Sequence, residues 1–208
     1  MEYRKFPGGT EQISILGLGT SAIGQAGENE IEATALLALE HGVNYFDMAS
    51  ADAAPFPAFG RAVAGDRKNV YFQIHFGADY HTGTYGWTLN TEAVKRSVDW
   101  QLNMLKTDYI DFGFIHCIDE EADLQKVISG GTLEYIRQLK KDGVVRHIGL
   151  SSHTPAVVNQ VLDRRLIDML MFSINPTITG MASMQSEVLT SVWPCTADVR
   201  RRESAFLS

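Results

Sequence analysis

The chain has 208 residues, of which 45% are hydrophobic and 21% are charged, and its formal net charge is −7. This length and this balance are typical of one globular domain and exclude a largely disordered protein. The acidic charge argues against a nucleic-acid partner, which would favour a basic face. No apolar run approaches the roughly 20 residues of a membrane helix. The start of the chain also lacks the apolar core of a signal peptide.

The first third of the chain alternates between strand and helix patterns. In chain order, these patterns predict a hairpin over 2–16, a strand over 16–20, a helix over 30–40, a strand over 44–47, a helix over 56–64 and a strand over 70–75. Gly42 follows the first helix, where a glycine commonly ends one. Two strand–helix units are therefore expected before residue 70.

The alternation continues after a long loop at 78–90. The predicted elements are a helix that begins at Asn90 or Thr91, a strand over 110–115, a helix over 132–141, a strand over 144–150, a helix that starts at Thr154 and Pro155, and a strand over 169–174. The loop carries the aromatic rings of Tyr80, Tyr85 and Trp87. They either line a substrate pocket or cover the rim of the sheet.

About six alternations predict parallel βαβ units in an α/β protein, arranged as an incomplete TIM (β/α)8-type barrel with an N-terminal hairpin. Eight units usually take about 250 residues. We expect residues 1–176 to form the partial barrel and residues 177–208 to form a tail of doubtful fold. The tail has no clear helix or strand period. Its residues 181–208 can be back-translated in a shifted frame into a helix-like and then a strand-like stretch. Truncation by a frameshift is the resulting hypothesis, and an ordinary polar C-terminal extension is the alternative.

Ionisable side chains stand near the ends of three predicted strands, at Asp47, His75 and His116. The carboxyl ends of parallel barrel strands are where such proteins hold their chemistry. Cys117 follows His116 directly, and neighbouring residues of a strand face opposite sides. We therefore expect Cys117 to pack in the core, away from His116. The only other cysteine is Cys195. Two cysteines are too few for a disulfide scaffold, and this low number favours a reducing cytoplasm.

Four segments together resemble the aldo-keto reductase family. They are LGLGTSAIG after the hairpin, HGVNYFDMA, YIDFGFIH and KKDGVVRHIGLSSHTP. Their order and spacing cover residues 3–176. Some bacterial relatives in this family also carry a C-terminal iron–sulfur segment with clustered cysteines, which this chain lacks.

The resemblance implies a catalytic set of Asp, Tyr, Lys and His. Asp47 and His116 match two of these positions. Asp52 stands where the family has its Tyr, and His75 stands where it has its Lys. A carboxylate has an unperturbed pKa of about 3.9 against about 10 for a phenol, so Asp52 cannot act as the Tyr does without a large shift. The implied catalytic residues are Asp47, His116 and His75, with His75 as proton donor or electrostatic partner.

The resemblance also implies a nicotinamide cofactor, NADP(H) or NAD(H). Gly19 and Thr20 lie where the first loop of the family meets the dinucleotide. Ser151 and Ser152 follow the fifth strand, where the family binds the nicotinamide carboxamide, and Met171 replaces the usual Gln of the sixth strand. The family grips its phosphates after strands seven and eight, which lie beyond the six predicted units.

Three functional hypotheses remain open. The first is a cytoplasmic oxidoreductase that acts on a small carbonyl/alcohol pair and is impaired by truncation and by the loss of the Tyr and the Lys. The second is a metal-assisted enzyme that uses Asp47, His75 and His116 as ligands of zinc or iron. The third is an inactive, truncated relative. The substrate, the choice between NADH and NADPH and the oligomeric state are open at this stage.

Overall fold

The computed structural model describes residues 1–7 and 9–172. The predicted tail at 177–208 and the last two residues of the predicted strand at 169–174 lie outside this range. The described strands, in chain order, are β1 Tyr3–Lys5, β2 Gln12–Ser14, β3 Leu18–Gly19, β4 Tyr45–Asp47, β5 Tyr71–Phe76, β6 Ala78–Asp79, β7 Gly86–Trp87, β8 Ile110–Ile115, β9 Val145–Ser151 and β10 Met169–Met171.

The described helices lie between these strands. They are α1 Glu28–Glu40, α2 Pro55–Ala62, α3 Thr91–Leu105, α4 Glu121–Ser129, α5 Thr132–Lys141 and α6 Pro155–Asp163, and a short 3₁₀ helix covers Arg67–Asn69. Within the described residues, no helix is both long and apolar enough to span a bilayer.

Six strands form one parallel sheet in the order β3–β4–β5–β8–β9–β10. Parallel neighbours need crossover connections, and helices supply them here. The sheet curls into a half-barrel that matches an incomplete TIM barrel, as the sequence predicts. The hairpin of β1 and β2 is also confirmed. Its Phe6 packs its ring against Phe112 of β8, with the ring centroids 5.5 Å apart.

Local signals explain most of the element boundaries. Asn90 caps α3, because its side-chain oxygen accepts a hydrogen bond from the amide of Ala93 at 3.0 Å. α6 begins with Pro155 as predicted, but the side chain of Thr154 makes no capping hydrogen bond. The proline, whose φ already suits a helix, therefore marks this start without help from the hydroxyl.

Two features of the structure were not predicted. The loop at 78–90 contains the small antiparallel pair of β6 and β7, and helix α4 precedes α5. The strands of the pair are two residues long, too short to show an alternating pattern. The main core lies between the sheet and the helices, and its largest fully buried side chains include Phe46, Phe59 and Phe72.

Candidate functional site

The three predicted strand-end residues meet at the carboxyl end of the sheet. The imidazole of His75 contacts Asp47 at one side, with 2.7 Å between Nε2 and Oδ1. Its other nitrogen, Nδ1, lies 2.8 Å from Nδ1 of His116. Parallel pairing of β4, β5 and β8 produces this meeting, because it aligns the carboxyl ends of neighbouring strands. Residues 28 and 41 positions apart in the sequence thus become hydrogen-bonded neighbours.

Tyr85 extends this arrangement by one more group. Its hydroxyl oxygen lies 3.1 Å from Nε2 of His116. Asp47, His75, His116 and Tyr85 form a continuous series of hydrogen bonds, here called the polar row. Exposure increases at its outer end, since the side chain of His75 is 1% exposed and Tyr85 is 41% exposed. The row therefore runs from Asp47 to the exposed surface around Tyr85 at the carboxyl end of the sheet, here called the mouth.

Two further residues hold the inner end of the row. The amide nitrogen of Gln73 donates to Oδ1 of Asp47 at 3.0 Å. The hydroxyl of Tyr45 contacts the amide oxygen of Gln73, which orients that amide. Burial, and then the charge of Asp47, raise the pKa of Tyr45, so its hydroxyl keeps its proton and can donate. The sequence pattern did not single out Gln73 or Tyr45, although both lie on strands that carry site residues.

Electrostatics keep the histidine in the middle of the row neutral. Burial and the neighbouring His75 lower the pKa of His116 from its ordinary value of 6.5 to about 3. A neutral imidazole has one donor and one acceptor nitrogen, so it can both give and take a proton along the row. Burial, and then the nearby Cys117, raise the pKa of the Tyr85 hydroxyl, which is therefore protonated at neutral pH.

The row does not have the geometry of a metal site. A metal centre needs donor atoms that converge on one point. In this structure the two ring nitrogens of His75 bond in opposite directions, one to Asp47 and one to His116. Among the described residues, no group of three His, Cys, Asp or Glu side chains is placed to hold a metal ion.

The predicted cofactor residues of the first loop lie beside Asp47. Gly19 pairs with Asp47 across β3 and β4, and the amide and hydroxyl of Thr20 both donate to the carbonyl of Asp47, at 3.0 and 3.1 Å. A Cβ added to Gly19 would meet no atom within 4 Å. The backbone at Gly19 is therefore open to close approach from the mouth.

The two predicted serines lie at the end of β9 and are both buried. The oxygen of Ser151 accepts from the amide of Cys117 at 2.9 Å. The hydroxyl of Ser152 donates to Asp119 at 3.2 Å and accepts from the amide of Thr154 at 3.1 Å. Each hydroxyl uses one of its two acceptor lone pairs in these hydrogen bonds.

The prediction for Cys117 was wrong. β8 ends at Ile115, and Cys117 has a left-handed backbone with φ of 50°. The rule that neighbours face opposite sides applies only within a strand, and this turn brings the sulfur to 3.6 Å from Nε2 of His116. Cys117 is half-buried beside the polar row, and burial raises the pKa of its thiol.

Asp52, at the position of the family Tyr, takes part in a backbone pairing. It forms an isolated antiparallel bridge with Thr84, and its carbonyl accepts from the hydroxyl of Ser50. The next residue after Thr84 is Tyr85, whose amide donates to the carbonyl of Ala51 at 2.8 Å. The segment after β4 thus holds the aromatic loop over the end of the sheet.

The rings of the aromatic loop divide between two roles. Tyr80 is buried against Phe56 and Trp100 and belongs to the core. Tyr85 and Trp87 are exposed and contact His116, the first through its hydroxyl and the second through an indole N–H that donates to the carbonyl of His116 at 3.1 Å. Tyr80 thus fits neither predicted alternative, and a substrate pocket lined by Tyr85 and Trp87 stays a prediction.

The parallel sheet of this chain carries titratable groups at its carboxyl end, which is where TIM-barrel proteins hold their functional site. The fold and the site therefore place the chain in that class. Within this class, the sequence profile of the Aldo/keto reductase family matches residues 15–192. The chain belongs to the aldo/keto reductase family, as the four segments predicted.

Relatives of known sequence and structure agree with this assignment. The chain is 28% identical over 179 residues to "Uncharacterized oxidoreductase YqkF" of Bacillus subtilis. This match covers 84% of the chain and 56% of that protein. It is similar to the holo form of aldo-keto reductase AKR11C1 from Bacillus halodurans, with a TM-score of 0.71, 28% identity, and coverage of 84% of this chain and 58% of that one.

A third relative was solved with a cofactor. The aldo/keto reductase from Klebsiella pneumoniae, in complex with NADP and acetate, has a TM-score of 0.54 and 24% identity, and the match covers 73% of this chain and 50% of that one. This likeness shows the fold alone. The matches span 56%, 58% and 50% of the lengths of these three relatives.

Proposed function

We propose that this chain is part of a nicotinamide-dependent oxidoreductase that interconverts a small carbonyl compound and its alcohol. The observation that carries the proposal is the hydrogen-bonded series from Asp47 through His75 to His116 at the carboxyl end of the sheet. Interconversion of a carbonyl and an alcohol requires a proton at the oxygen, and such a series can move one. The family assignment supports the same class of reaction.

The residues at the mouth fit a nicotinamide dinucleotide. The open backbone at Gly19 allows a flat or bulky group to lie against it. The second acceptor lone pairs of Ser151 and Ser152 suit the amide donor of a nicotinamide carboxamide. When bound, the cofactor supplies or takes up the hydride at the carbonyl carbon. The proposal covers NADP(H) and NAD(H) alike.

The residues of the chain would handle the proton. Asp47, held by Gln73, orients His75, and His75 orients His116. Nε2 of His116 in turn contacts the Tyr85 hydroxyl, on the side of the row where the substrate would bind. His75 would thus link the carboxylate to His116, in the place where the family has its Lys. We further propose a cytoplasmic location, which cell fractionation would test.

Cofactor binding is the first test. The purified chain is titrated with NADPH and NADH, and nicotinamide fluorescence is followed. We expect saturable binding for the wild type. For Gly19→Val we expect a dissociation constant at least tenfold larger, a loss of about 1.4 kcal/mol of binding free energy, because the new side chain would occupy the open space at the mouth. The matched control is Gly65→Val, in an exposed turn before β5 where an added Cβ also meets nothing within 4 Å.

A flat titration up to roughly millimolar cofactor, a free energy of about −4 kcal/mol, would overturn the proposal for this chain. Equal weakening by Gly19→Val and Gly65→Val would remove Gly19 from the cofactor site, because the two glycines lie at opposite ends of the strands.

A further inference from the structure

Tyr85 ends the polar row at the surface of the mouth. We propose that Tyr85, on the loop between β5 and α3, is the catalytic residue that exchanges the proton with the substrate oxygen. This inference rests on the proposed function and deepens it. Sequence position does not suggest this assignment, because Tyr85 lies 38 residues after Asp47 rather than within the segment that directly follows β4. The geometry suggests it, because its hydroxyl is 3.1 Å from His116.

The loop is attached to the sheet on both sides of Tyr85. Before it, Thr84 pairs with Asp52 after β4. After it, the indole of Trp87 donates to the carbonyl of His116 after β8. Tyr85 itself donates its amide to Ala51. These three attachments join the loop to the ends of two site strands, so the phenol is positioned rather than free at a loop tip.

The hydrogen bonds of the row have one consistent direction. With Asp47 ionised, its carboxylate can only accept, so Nε2 of His75 must donate to it. Nδ1 of a neutral His75 is then an acceptor, and Nδ1 of His116 must donate to it. This leaves Nε2 of a neutral His116 as an acceptor for the Tyr85 hydroxyl. Every polar hydrogen in the row points inward, towards Asp47.

This direction explains why the row needs a hydroxyl at its outer end. In this tautomer, His116 presents an acceptor nitrogen to the mouth, and an acceptor cannot donate to a carbonyl oxygen. A hydroxyl both donates and accepts. Tyr85 can therefore contact the substrate oxygen while it remains bonded to His116. Of the four groups in the row, Tyr85 is also the most exposed to a ligand at the mouth.

The proton steps balance in both directions. During alcohol oxidation, the substrate O–H bond breaks and its proton passes to the oxygen of Tyr85. The Tyr85 proton moves to Nε2 of His116, the Nδ1 proton of His116 moves to His75, and the Nε2 proton of His75 moves to Asp47. The alcohol carbon loses a hydride to the cofactor and its oxygen becomes a carbonyl. Reduction is the reverse and starts from the state that oxidation leaves, in which solvent has supplied the proton on Asp47, His75 is protonated at Nδ1 and His116 at Nε2. Tyr85 then gives its proton to the substrate oxygen and takes one from Nε2 of His116, the Nδ1 proton of His75 passes to His116, and the Asp47 proton passes to Nε2 of His75.

The test compares Tyr85→Phe with Tyr135→Phe as a matched control. Both changes remove one hydroxyl, but Tyr135 lies on α5 outside the site. The turnover probes are 4-nitrobenzaldehyde with NADPH and 4-nitrobenzyl alcohol with NADP⁺. General acid–base groups typically contribute 10²–10⁴-fold, so we expect kcat to fall by about 10²-fold or more in Tyr85→Phe and to stay within about twofold in the control. NADPH affinity should be unchanged in both.

A second readout does not depend on turnover. Imidazole ¹⁵N spectra of the wild type at neutral pH should show His75 protonated at Nε2 and His116 protonated at Nδ1. The Nε2 resonance of His116 should shift in Tyr85→Phe and stay in place in Tyr135→Phe, because only the first change removes a hydrogen bond to that nitrogen.

The outcomes separate the two proposals. Saturable NADPH binding with undiminished kcat in Tyr85→Phe would overturn the role of Tyr85 alone. An unshifted His116 Nε2 resonance would do the same. A chain that binds NADPH but turns over neither probe would also overturn it. Failure of NADPH to bind at all would overturn the proposed function, and the catalytic role of Tyr85 with it.

Discussion

Two carboxylates at opposite ends of the same sheet have contrasting environments. Asp111, near the start of β8, is fully buried and accepts hydrogen bonds from Arg67, Arg146 and the amide of Phe72 at 2.8–3.0 Å. Asp47, at the end of β4, is 22% exposed and bonds to a histidine and an amide side chain. Both carboxylates are well satisfied, but only the partners of Asp47 lead onward to the surface.

The difference distinguishes a carboxylate that holds the fold from one that serves a site. The guanidinium groups around Asp111 keep their protons at all ordinary pH values, so they can pair but cannot relay. Both also stack on the ring of Tyr109, at 4.0 and 4.3 Å from its centroid. An imidazole can donate at one nitrogen and accept at the other, so the partner of Asp47 can pass a proton onward, which a guanidinium cannot do.

The largest expected effect is on stability at the Asp111 end. Asp111→Ala should lower the free energy of unfolding by about 3–5 kcal/mol, because it leaves Arg67, whose side chain is 14% exposed, without its carboxylate and removes the acceptor of Arg146 as well. Asp47→Ala should cost less, about 1–3 kcal/mol, since mainly neutral hydrogen-bond partners are left without an acceptor. Urea unfolding of the two variants beside the wild type measures both values. Equal losses would contradict the division of roles between the two carboxylates.

The next effect is on turnover at the Asp47 end. His75→Gln should lower kcat for 4-nitrobenzaldehyde reduction by about 10²-fold, because an amide can bond to Asp47 but cannot pass a proton to His116. NADPH binding should be preserved. Arg146→Met is the control at the other carboxylate and should leave the rate per folded molecule unchanged. A similar loss in both variants would indicate a general structural effect.

A smaller effect should appear in the dependence of stability on pH. The folded-state pKa of His116 is about 3, below the ordinary 6.5, so between these values the unfolded chain binds more protons. The stabilising contribution of neutral His116 is complete above pH 6.5 and is lost as the pH falls towards 3. The slope contributed is at most about 1.4 kcal/mol per pH unit. Urea unfolding from about pH 7 to about pH 4.5 should show a shallower slope for His116→Asn than for the wild type.

The smallest effect concerns the attachment of the loop. Trp87→Phe keeps an aromatic ring but removes the hydrogen bond to the carbonyl of His116, which should cost about 1 kcal/mol or less. Amide hydrogen exchange should accelerate around Tyr85 and stay unchanged around Asp111. Unchanged exchange at Tyr85 would show that the pairing of Asp52 with Thr84 is enough to hold the loop.

Most of the fold could be predicted because its signals are local. The strand over 110–115 and the helix over 132–141 have the predicted bounds, since each carries a continuous apolar run or an apolar face at helical spacing. β6 and β7 could not be predicted because each strand has only two residues, too few for an alternating hydrophobic pattern. They form because they pair with each other.

The site was predictable only in part. Asp47, His75 and His116 could be selected because parallel strands bring their carboxyl ends together, a rule that needs no contact information. The position of Cys117 could not be read in this way, because it depends on where β8 ends and on the turn that follows.

The sequence by itself determined the family, the half-barrel of six parallel strands and three residues of the polar row, because motifs and periodicity are properties of short segments. Only the tertiary structure decided that Gln73 and Tyr45 support Asp47 and that Tyr85 reaches His116. The physical reason is that a hydrogen bond depends on distance and direction between groups that are far apart along the chain. Pairing of the segment after β4 with the aromatic loop supplies both for Tyr85.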